Sequence, residues 1–592
     1  MNDSKENSEQ KLSRRDFLTT SIAATIALSS NGFAKEKEKK SPKVVKNSNE
    51  TYNILFILTD QERYFKASEL PRGFKLSGHN RLKSEGLSFT NHQINSAVCT
   101  SSRSVIYTGQ HIQHTKLFDN LDVPWVKSLS KDMPTLGDMM QDAGYYPAYK
   151  GKWHLSKELG THNEAAIPQV ELTKVIREYG FNDYIGIGDV IGMTQGGYIN
   201  DDMIAAQAKR WLRLKAAPMQ AKKEPWFLAL NFVNPHDVMF YNTDAKGKNV
   251  QSTPKPMMPI AREPDSSLYT KQWKFNLPLS RHESFDKVGR PQAHKEYQLS
   301  RGALVGNFPD EDARWQRLLN YYFNCISNVD LAINSVLDEL DAQGMRDNTI
   351  VVLTADHGEL GGSHGTHGKG ATAYKEQNNV PLIISHPDFE QTHGEECSAL
   401  TSHLDLAPTL LSWTKQSAKV DKSALKGYDL TSLLTLGKKA KTNEIRQASL
   451  YCYNMFLYLD SDYTLKIQEY LNKGGDPEKL ATLGIKPDFT KRGAIRSVFD
   501  GRYRYTRYYS PLQNNQVTTL KEILAYNDIE LFDLKNDPQE MHNLTSDTKK
   551  YAALIVSMND KLNQIIKEEV GVDDGSSLPL HGKNWAATTF DP

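Results

Sequence analysis

The chain has 592 residues, with 72 Lys and Arg against 71 Asp and Glu for a net charge of +1, 39% hydrophobic residues and four cysteines. That length buries a large core and predicts one large domain with a smaller companion. The balanced charge excludes a nucleic-acid binder that relies on a global positive field, and four cysteines in so long a chain exclude a disulfide framework.

The N-terminus predicts an export signal. Ser13-Arg14-Arg15-Asp16-Phe17-Leu18 precedes an apolar run from Ile22 to Leu28 and then Gly32-Phe33-Ala34, a small-x-small cleavage pattern. The paired arginines resemble a twin-arginine signal over residues 1–34. A general secretory signal is the alternative, and both place the mature chain in the periplasm or outside the cell. The run is shorter than the ~20 residues a membrane-spanning helix needs, so no integral membrane segment is expected in the mature chain. Residues 35–50 read as a Lys-rich linker.

Asn53 to Thr59 is a continuous apolar run, the pattern of a buried central strand, and it ends in Asp60-Gln61. Leu87 to His92 reads as a second strand. Cys99-Thr-Ser-Ser-Arg103 then opens a helix closed by Gly109, which places Cys99 where unpaired N–H groups favour anions and Arg103 on the same face. Helical stretches follow at 134–143, 201–215 and 310–340. Buried strands at 226–233 and 349–354 end in Asn234-Pro235-His236 and Asp356-His357-Gly358. The alternation predicts an α/β fold, with helices on both faces of the sheet and a site on its carboxyl edge. The Pro- and charge-rich stretch between His236 and Asp310 reads as loops roofing that site. After residue 440 the rhythm changes: strand candidates at 448–453, 494–505 and 530–534 and a helix at 549–568 predict a smaller α+β subdomain. The expected boundaries are 51–440, 441–570 and a tail over 571–592. Cys325 falls in a helical pattern, and Cys397 and Cys452 could pair.

Polar clusters sit at several strand ends: Asp60-Gln61, Lys152-x-His154 within Gly-Lys-Trp-His-Leu, His236, and Asp356-His357. A Gly-rich loop adds His364, His367 and Lys369. Singly, Cys99 could be a buried thiol, Asp60 a helix cap, His236 a satisfied core imidazole and each Lys a solvated charge. Together they supply oxygen donors for a hard cation and convergent Lys, His and Arg, which a multiply charged anionic ester requires.

In this order, with Val380-Pro-Leu-Ile, His403-Leu-Asp-Leu-Ala-Pro-Thr409 and Glu530-Leu-Phe-Asp-Leu-Lys-Asn-Asp-Pro beyond them, the motifs resemble the formylglycine-dependent sulfatases of the alkaline-phosphatase-like superfamily from Thr51 to Leu544. The resemblance implies an alkaline-phosphatase-like mixed sheet and oxidation of Cys99 to formylglycine by a maturation enzyme. It also implies one Ca²⁺ held by Asp60, Gln61, Asp356, His357 and the side chain at 99. Arg103 would orient the formylglycine diol, Lys152 and Lys369 would neutralise sulfate oxygens, and His154 would act as base. His236, whose ordinary pKa near neutrality suits acid catalysis, would protonate the leaving alkoxide. Asn120 and His364 are further substrate-facing candidates, with Asp119, His111 and His114 behind them. The Asp-Gln and Asp-His pairings resemble the choline-sulfatase and phosphonate-monoesterase branch. Ser101 stands where the family's maturation motif usually has Pro or Ala.

The expected activity is hydrolysis of an organic sulfate ester, on a sulfated carbohydrate. The alternatives are a phosphonate or phosphate ester hydrolase on the same scaffold, or an unmodified protein that binds sulfated glycans without turnover.

Overall fold

A computed structural model describes residues 51–123, 126–160, 167–186, 188–513, 516–575, 578, 580–581 and 584–585; the expected signal and linker lie outside them. Thr51–Pro592 forms one compact unit.

Its centre is an eight-stranded mixed sheet of β1 (Asn53–Asp60), β2 (Leu87–Gln93), β3 (Tyr146–Gly151), β4 (Trp226–Pro235), β5 (Thr349–Ala355), β6 (Asn379–Ser385) and two short strands, β7 (Glu396–Cys397) and β8 (Thr401–Ser402). The order is β3-β4-β1-β5-β6-β2-β7, with β8 also on β2. β6 runs antiparallel to both β5 and β2, whereas the other pairings are parallel. The expected α/β mixed sheet is therefore present. β1 shows why its sequence is apolar throughout. Ile54, Phe56 and Leu58 enter one hydrophobic cluster while Leu55 and Ile57 enter another, so both faces are covered. Helix α1 (Cys99–Thr108) lies on the first face through Val105, Ile106 and Tyr107. Helices α2 (Gly196–Trp211) and α3 (Asp312–Ala342) cover the second through Ala208, Trp211, Ile333 and Leu337.

A second sheet, antiparallel in the order β12-β11-β10-β9, is built from β9 (Ser449–Asn454), β10 (Ala494–Phe499), β11 (Tyr503–Tyr509) and β12 (Asn527–Asp533). Helix α4 (Thr548–Glu569) packs Ile555, Met558 and Leu562 into the cluster that also holds Leu450, Val498 and Leu531. Three expectations change. The candidate at 494–505 is two strands, because Asp500-Gly501 turns the chain, with Gly501 at φ 91°. The stretch read as roofing loops contains a helix, Gln292–Val305. Cys397 and Cys452 do not pair: all four cysteines are free and buried. Among the described residues no helix is long and apolar enough to cross a membrane.

Candidate active site

Four neighbouring parallel strands end at one edge, and each delivers a polar group there. β1 ends in Asp60, β3 runs into Lys152, β4 into His236 and β5 into Asp356. The register pairs Thr59 with Ala355, so Asp60 and Asp356 leave adjacent strands side by side. α1 starts at the same edge with Cys99 as its first residue, and Asn120 accepts a hydrogen bond from Thr100 N (3.2 Å) beside that N-terminus. Trp153, wedged among Tyr107, Tyr149 and Phe181, anchors the Lys152-Trp153-His154 segment. Asp189 accepts from the backbone N–H groups of Trp153 (3.0 Å) and His154. His154 and Gln61 both hold positive φ (57° and 71°), a constraint that recurs at functional sites.

Around Cys99 Sγ lie His357 Nε2 at 3.3 Å, Asp60 Oδ1 at 3.6 Å and Lys152 Nζ at 3.8 Å. Arg103, fully buried, ties the two carboxylates together: Nη2 donates to Asp60 Oδ2 and Nε to Asp356 Oδ2, both at 3.0 Å. Its Nη1 donates to Lys152 O (2.9 Å) and Asn231 Oδ1 (3.3 Å). Lys152 Nζ reaches Asp60 Oδ2 at 2.7 Å. Lys369 Nζ is 3.9 Å from Asp60 Oδ1 and donates to Gln61 Oε1 at 2.6 Å. The carbonyl expected of Gln61 as a metal ligand therefore faces Lys369, and its amide nitrogen donates to Glu359.

The charges are strongly coupled. Burial and Cys99 push the Asp60 carboxyl up, but Lys152, His236 and Lys369 outweigh them and hold it well below the usual carboxylate range. Burial and the charge of Asp60 push Asp356 up. Burial opposes ionisation of Cys99, yet Lys152, Lys369 and His357 draw its thiol well below normal. His154 is raised despite burial, chiefly by Asp122, whose Oδ1 lies 3.9 Å from Nε2 and whose side chain is 45% exposed at the mouth. His236 departs from the near-neutral expectation. Burial, then Lys152 and Lys369, hold it down at about 3, so the imidazole is neutral in the free protein.

The donors fit a divalent cation. One ligand atom each of Asp60, Cys99, Asp356 and His357 lies within 4.8 Å of all the others. Arg103 occupies Oδ2 of each carboxylate, so the Oδ1 atoms lie on the side of Cys99 and His357, where Asp356 Oδ1 also accepts from the backbone N–H groups of Gln61 (3.0 Å) and His357 (2.9 Å). His357 turns Nδ1 to Gly358 O (3.0 Å), which presents Nε2 to the cluster. Carboxylate oxygens suit Ca²⁺ or Mg²⁺, while the imidazole also suits other divalent ions.

A sulfatase family model matches residues 52–416, more than half of the chain. The chain belongs to the sulfatase family. It is thereby a sulfuric ester hydrolase, and its relatives include carbohydrate sulfatases. An N-acetylglucosamine-6-O-sulfatase of Bacteroides thetaiotaomicron is 26% identical over 566 residues, 88% of this chain and 86% of the relative. Among solved structures, a protein in complex with its substrate D-glucosamine-2-N,6-O-disulfate shares the fold at TM-score 0.60 and 19% identity, over 89% of this chain and 100% of that one. A phosphonate monoester hydrolase of Silicibacter pomeroyi shares it at TM-score 0.60 and 21% identity, over 88% and 96%.

In this sulfatase some candidates lie away from the cluster. His364 is buried against Tyr374 (ring centroids 3.6 Å apart), and its Nδ1 pairs with Glu283 at 2.6 Å, so the substrate-facing expectation gives way to a packing role. His111 Nε2 binds Glu569 at 2.8 Å, and Asp119 caps the backbone N–H groups of Asn120 and Leu457. Sequence reasoning missed Asp122 and Asp189 at His154, and Glu359, which accepts from Gln61 Nε2 and from the N–H groups of Gly361 and Gly368. Asp122 stands two residues after Asn120, the single sequence cue to any of them.

Proposed function

We propose that this sulfatase is exported, with residues 1–34 as its signal, and removes sulfate from a sulfated carbohydrate through a formylglycine made from Cys99. One observation carries the reading: the Cys99 side chain heads a helix with Lys152, His357 and Asp60 all within 3.8 Å of Sγ. Sγ stands where the attacking hydroxyl of a hydrated formylglycine would be. The carbohydrate assignment is supported by the relatives whose names give glucosamine sulfates.

A serine or thiolate attacking sulfur would be trapped as a stable adduct. The diol avoids that trap. One hydroxyl attacks sulfur as its proton leaves, the ester S–O bond breaks, and the sugar departs as its alcohol. The second hydroxyl then loses its proton, the C–O bond to sulfate breaks, and the aldehyde is restored. Asp60, Asp356 and His357 would hold Ca²⁺ with the residue-99 oxygen, whereas Gln61, with its carbonyl on Lys369 and its amide on Glu359, leaves the expected ligand set; when bound, the ion supplies polarisation of the sulfate and favours an ionised hydroxyl. Arg103 orients the diol and both carboxylates. Lys152 and Lys369 meet the sulfate oxygens. His154, with Asp122 to stabilise its imidazolium, takes the proton of the second hydroxyl. His236 protonates the leaving oxygen: burial first, then Lys152 and Lys369, hold this imidazole down, and a sulfate ester between the two ammonium groups offsets their share and shifts the imidazole towards its protonated form.

Maturation requires a formylglycine-generating enzyme that accepts Ser101, a buried small residue whose hydroxyl has no hydrogen-bond partner among the described residues. A twin-arginine substrate crosses folded, so oxidation would precede export. Phosphonate or phosphate ester hydrolysis is a second reading, supported by Asp60-Gln61 with Asp356-His357 and by the Silicibacter pomeroyi neighbour. The test pairs mass spectrometry of the Cys99 peptide, from a host that matures sulfatases, with turnover of defined sulfated saccharides and aryl phosphonates. An aldehyde at 99 with preferential sulfate release is the expected result. An intact thiol without sulfate release leaves a sulfated-glycan-binding protein instead.

A further inference from the structure

A cleft of about 720 Å³ opens beside the catalytic cluster, and none of the residues assigned above to catalysis or metal binding lines it. Its walls include Arg63, Phe65, Arg72, Trp273, Lys274 and Phe275, so the stretch expected to roof the active site instead builds part of a separate cavity. Tyr322 separates the two. Its hydroxyl donates to Gln61 O (2.7 Å) and accepts from Arg63 N (3.0 Å). Gln61 thus stays with Lys369 while Arg63, two residues on, lines the cleft.

The cleft is cationic beyond what its own acids offset. Arg63 is 8% exposed, yet among the described residues no carboxylate lies within 4.0 Å of it; its guanidinium stacks over Phe65 at 4.2 Å and donates to Leu360 O at 3.4 Å. Its Nε is buried with no hydrogen-bond partner. Among the described residues Arg72 and Lys274 have no carboxylate partner, whereas the two lining acids, Glu69 and Glu376, both face Lys375 at 3.9 and 3.8 Å, and Glu376 is also shared with His364 and Arg63. The aromatic walls are fixed: Trp273 Nε1 donates to Asn324 Oδ1 (2.8 Å), and Phe275 packs edge-on to Phe323.

We propose that this cleft binds a sulfated saccharide unit of the polymer, away from the bond being hydrolysed. The size is that of a ligand pocket for a small molecule or short oligosaccharide. The guanidinium and ammonium groups match sulfate oxygens; the rings of Phe65 and Trp273 carry Arg63 (4.2 Å) and Lys271 (3.8 Å) over their faces, so the walls add apolar edges and further cations rather than bare stacking faces. The choice of a sulfated saccharide rests on the carbohydrate reading above.

The test uses the full chain with Cys99→Ala, which cannot turn substrate over, and calorimetry with a heparin-derived hexasaccharide, its desulfated form and a single-stranded oligonucleotide. Arg72 and Lys274 are exposed and free of side-chain partners, so R72E/K274E keeps the packing, which its melting temperature checks. The double variant is expected to bind the sulfated hexasaccharide at least tenfold more weakly, and the parent to prefer it at least tenfold over the desulfated form. In matured protein with residue 99 unaltered, R72E/K274E is expected to raise KM for polymer about tenfold and leave turnover of a small aryl sulfate unchanged. Equal affinity of parent and variant, no discrimination between the two saccharides, or tighter binding of the oligonucleotide overturns the assignment. Loss of polymer affinity in a protein that releases no sulfate supports the cleft and sinks the catalytic reading alone.

Discussion

Replacing Arg103 by Met removes the guanidinium that joins Asp60 and Asp356 at 3.0 Å each, with all three side chains inaccessible to solvent. The carboxylates then lose two charge-assisted hydrogen bonds; Lys152 still compensates Asp60 at 2.7 Å, while among the described residues the charged side chain left to Asp356 is His357, more distant at 3.6 Å. Breaking one partner out of a buried ion pair costs about 3–5 kcal/mol, because it leaves a charge uncompensated in the interior. Unfolding entropy scales with length, so for a chain this long each kcal/mol moves the melting temperature by about 1 °C. The Met variant is therefore expected to melt about 3–5 °C below the parent and to release no sulfate. Arg103→Lys keeps the charge but cannot span both carboxylates, and is expected to lose about half as much stability. Scanning calorimetry at pH 7 measures both. A Met variant that melts within 1 °C of the parent refutes the idea that this guanidinium holds the two carboxylates in place.

His236→Ala is expected to slow release from sugar sulfates by roughly 10²–10⁴-fold and from nitrophenyl sulfate by less than about tenfold, since only the sugar alkoxide needs a proton; equal losses in kcat/KM would remove His236 as donor. Dialysis against a chelator should abolish sulfate release and lower the melting temperature, and Ca²⁺ at about 100 times its Kd should restore about 2.7 kcal/mol; full activity in verified metal-free protein contradicts the ligand set. His79 is buried between Glu62 (3.0 Å) and Asp330 (2.7 Å), which against burial raise its pKa to about 10. A raised pKa means stability fully present below pH ~6.5 and lost as pH climbs towards 10, on the order of a few kcal/mol. The melting temperature should fall over that window in the parent and less in His79→Gln, and parallel profiles for the two proteins would disprove the coupling.

The residues that close the cluster were legible where chain pattern alone places them. Asp60 and Asp356 end apolar runs too continuous to be anything but buried strands, and Cys99 opens a helix that Gly109 stops, with φ 65° at the cap. Partners that arrive through the fold left no mark of this kind. Asp189 reaches His154 from 35 positions away, and Glu359 reaches Gln61 across 298. His364 misled because a Gly-rich loop reads as a binding loop, whereas Tyr374 and Glu283, which occupy its ring, come from separate segments. The helix Gln292–Val305 was obscured by Arg290-Pro291 ahead of it and by charged and polar residues along its length. The Asp500-Gly501 turn is legible in the sequence, because Gly501 supplies the positive φ (91°) that the tight connection requires.

The pairing of Thr59 with Ala355 has a wider consequence. Adjacent strands keep a spacing of about 4.8 Å whatever side chains they carry, so the gap between Asp60 and Asp356 is inherited from the backbone ladder. Surface insertions can lengthen, shorten or change sequence without altering that gap. A scaffold of this kind can acquire new substrate preferences at its periphery while the spacing of its two acids stays constant.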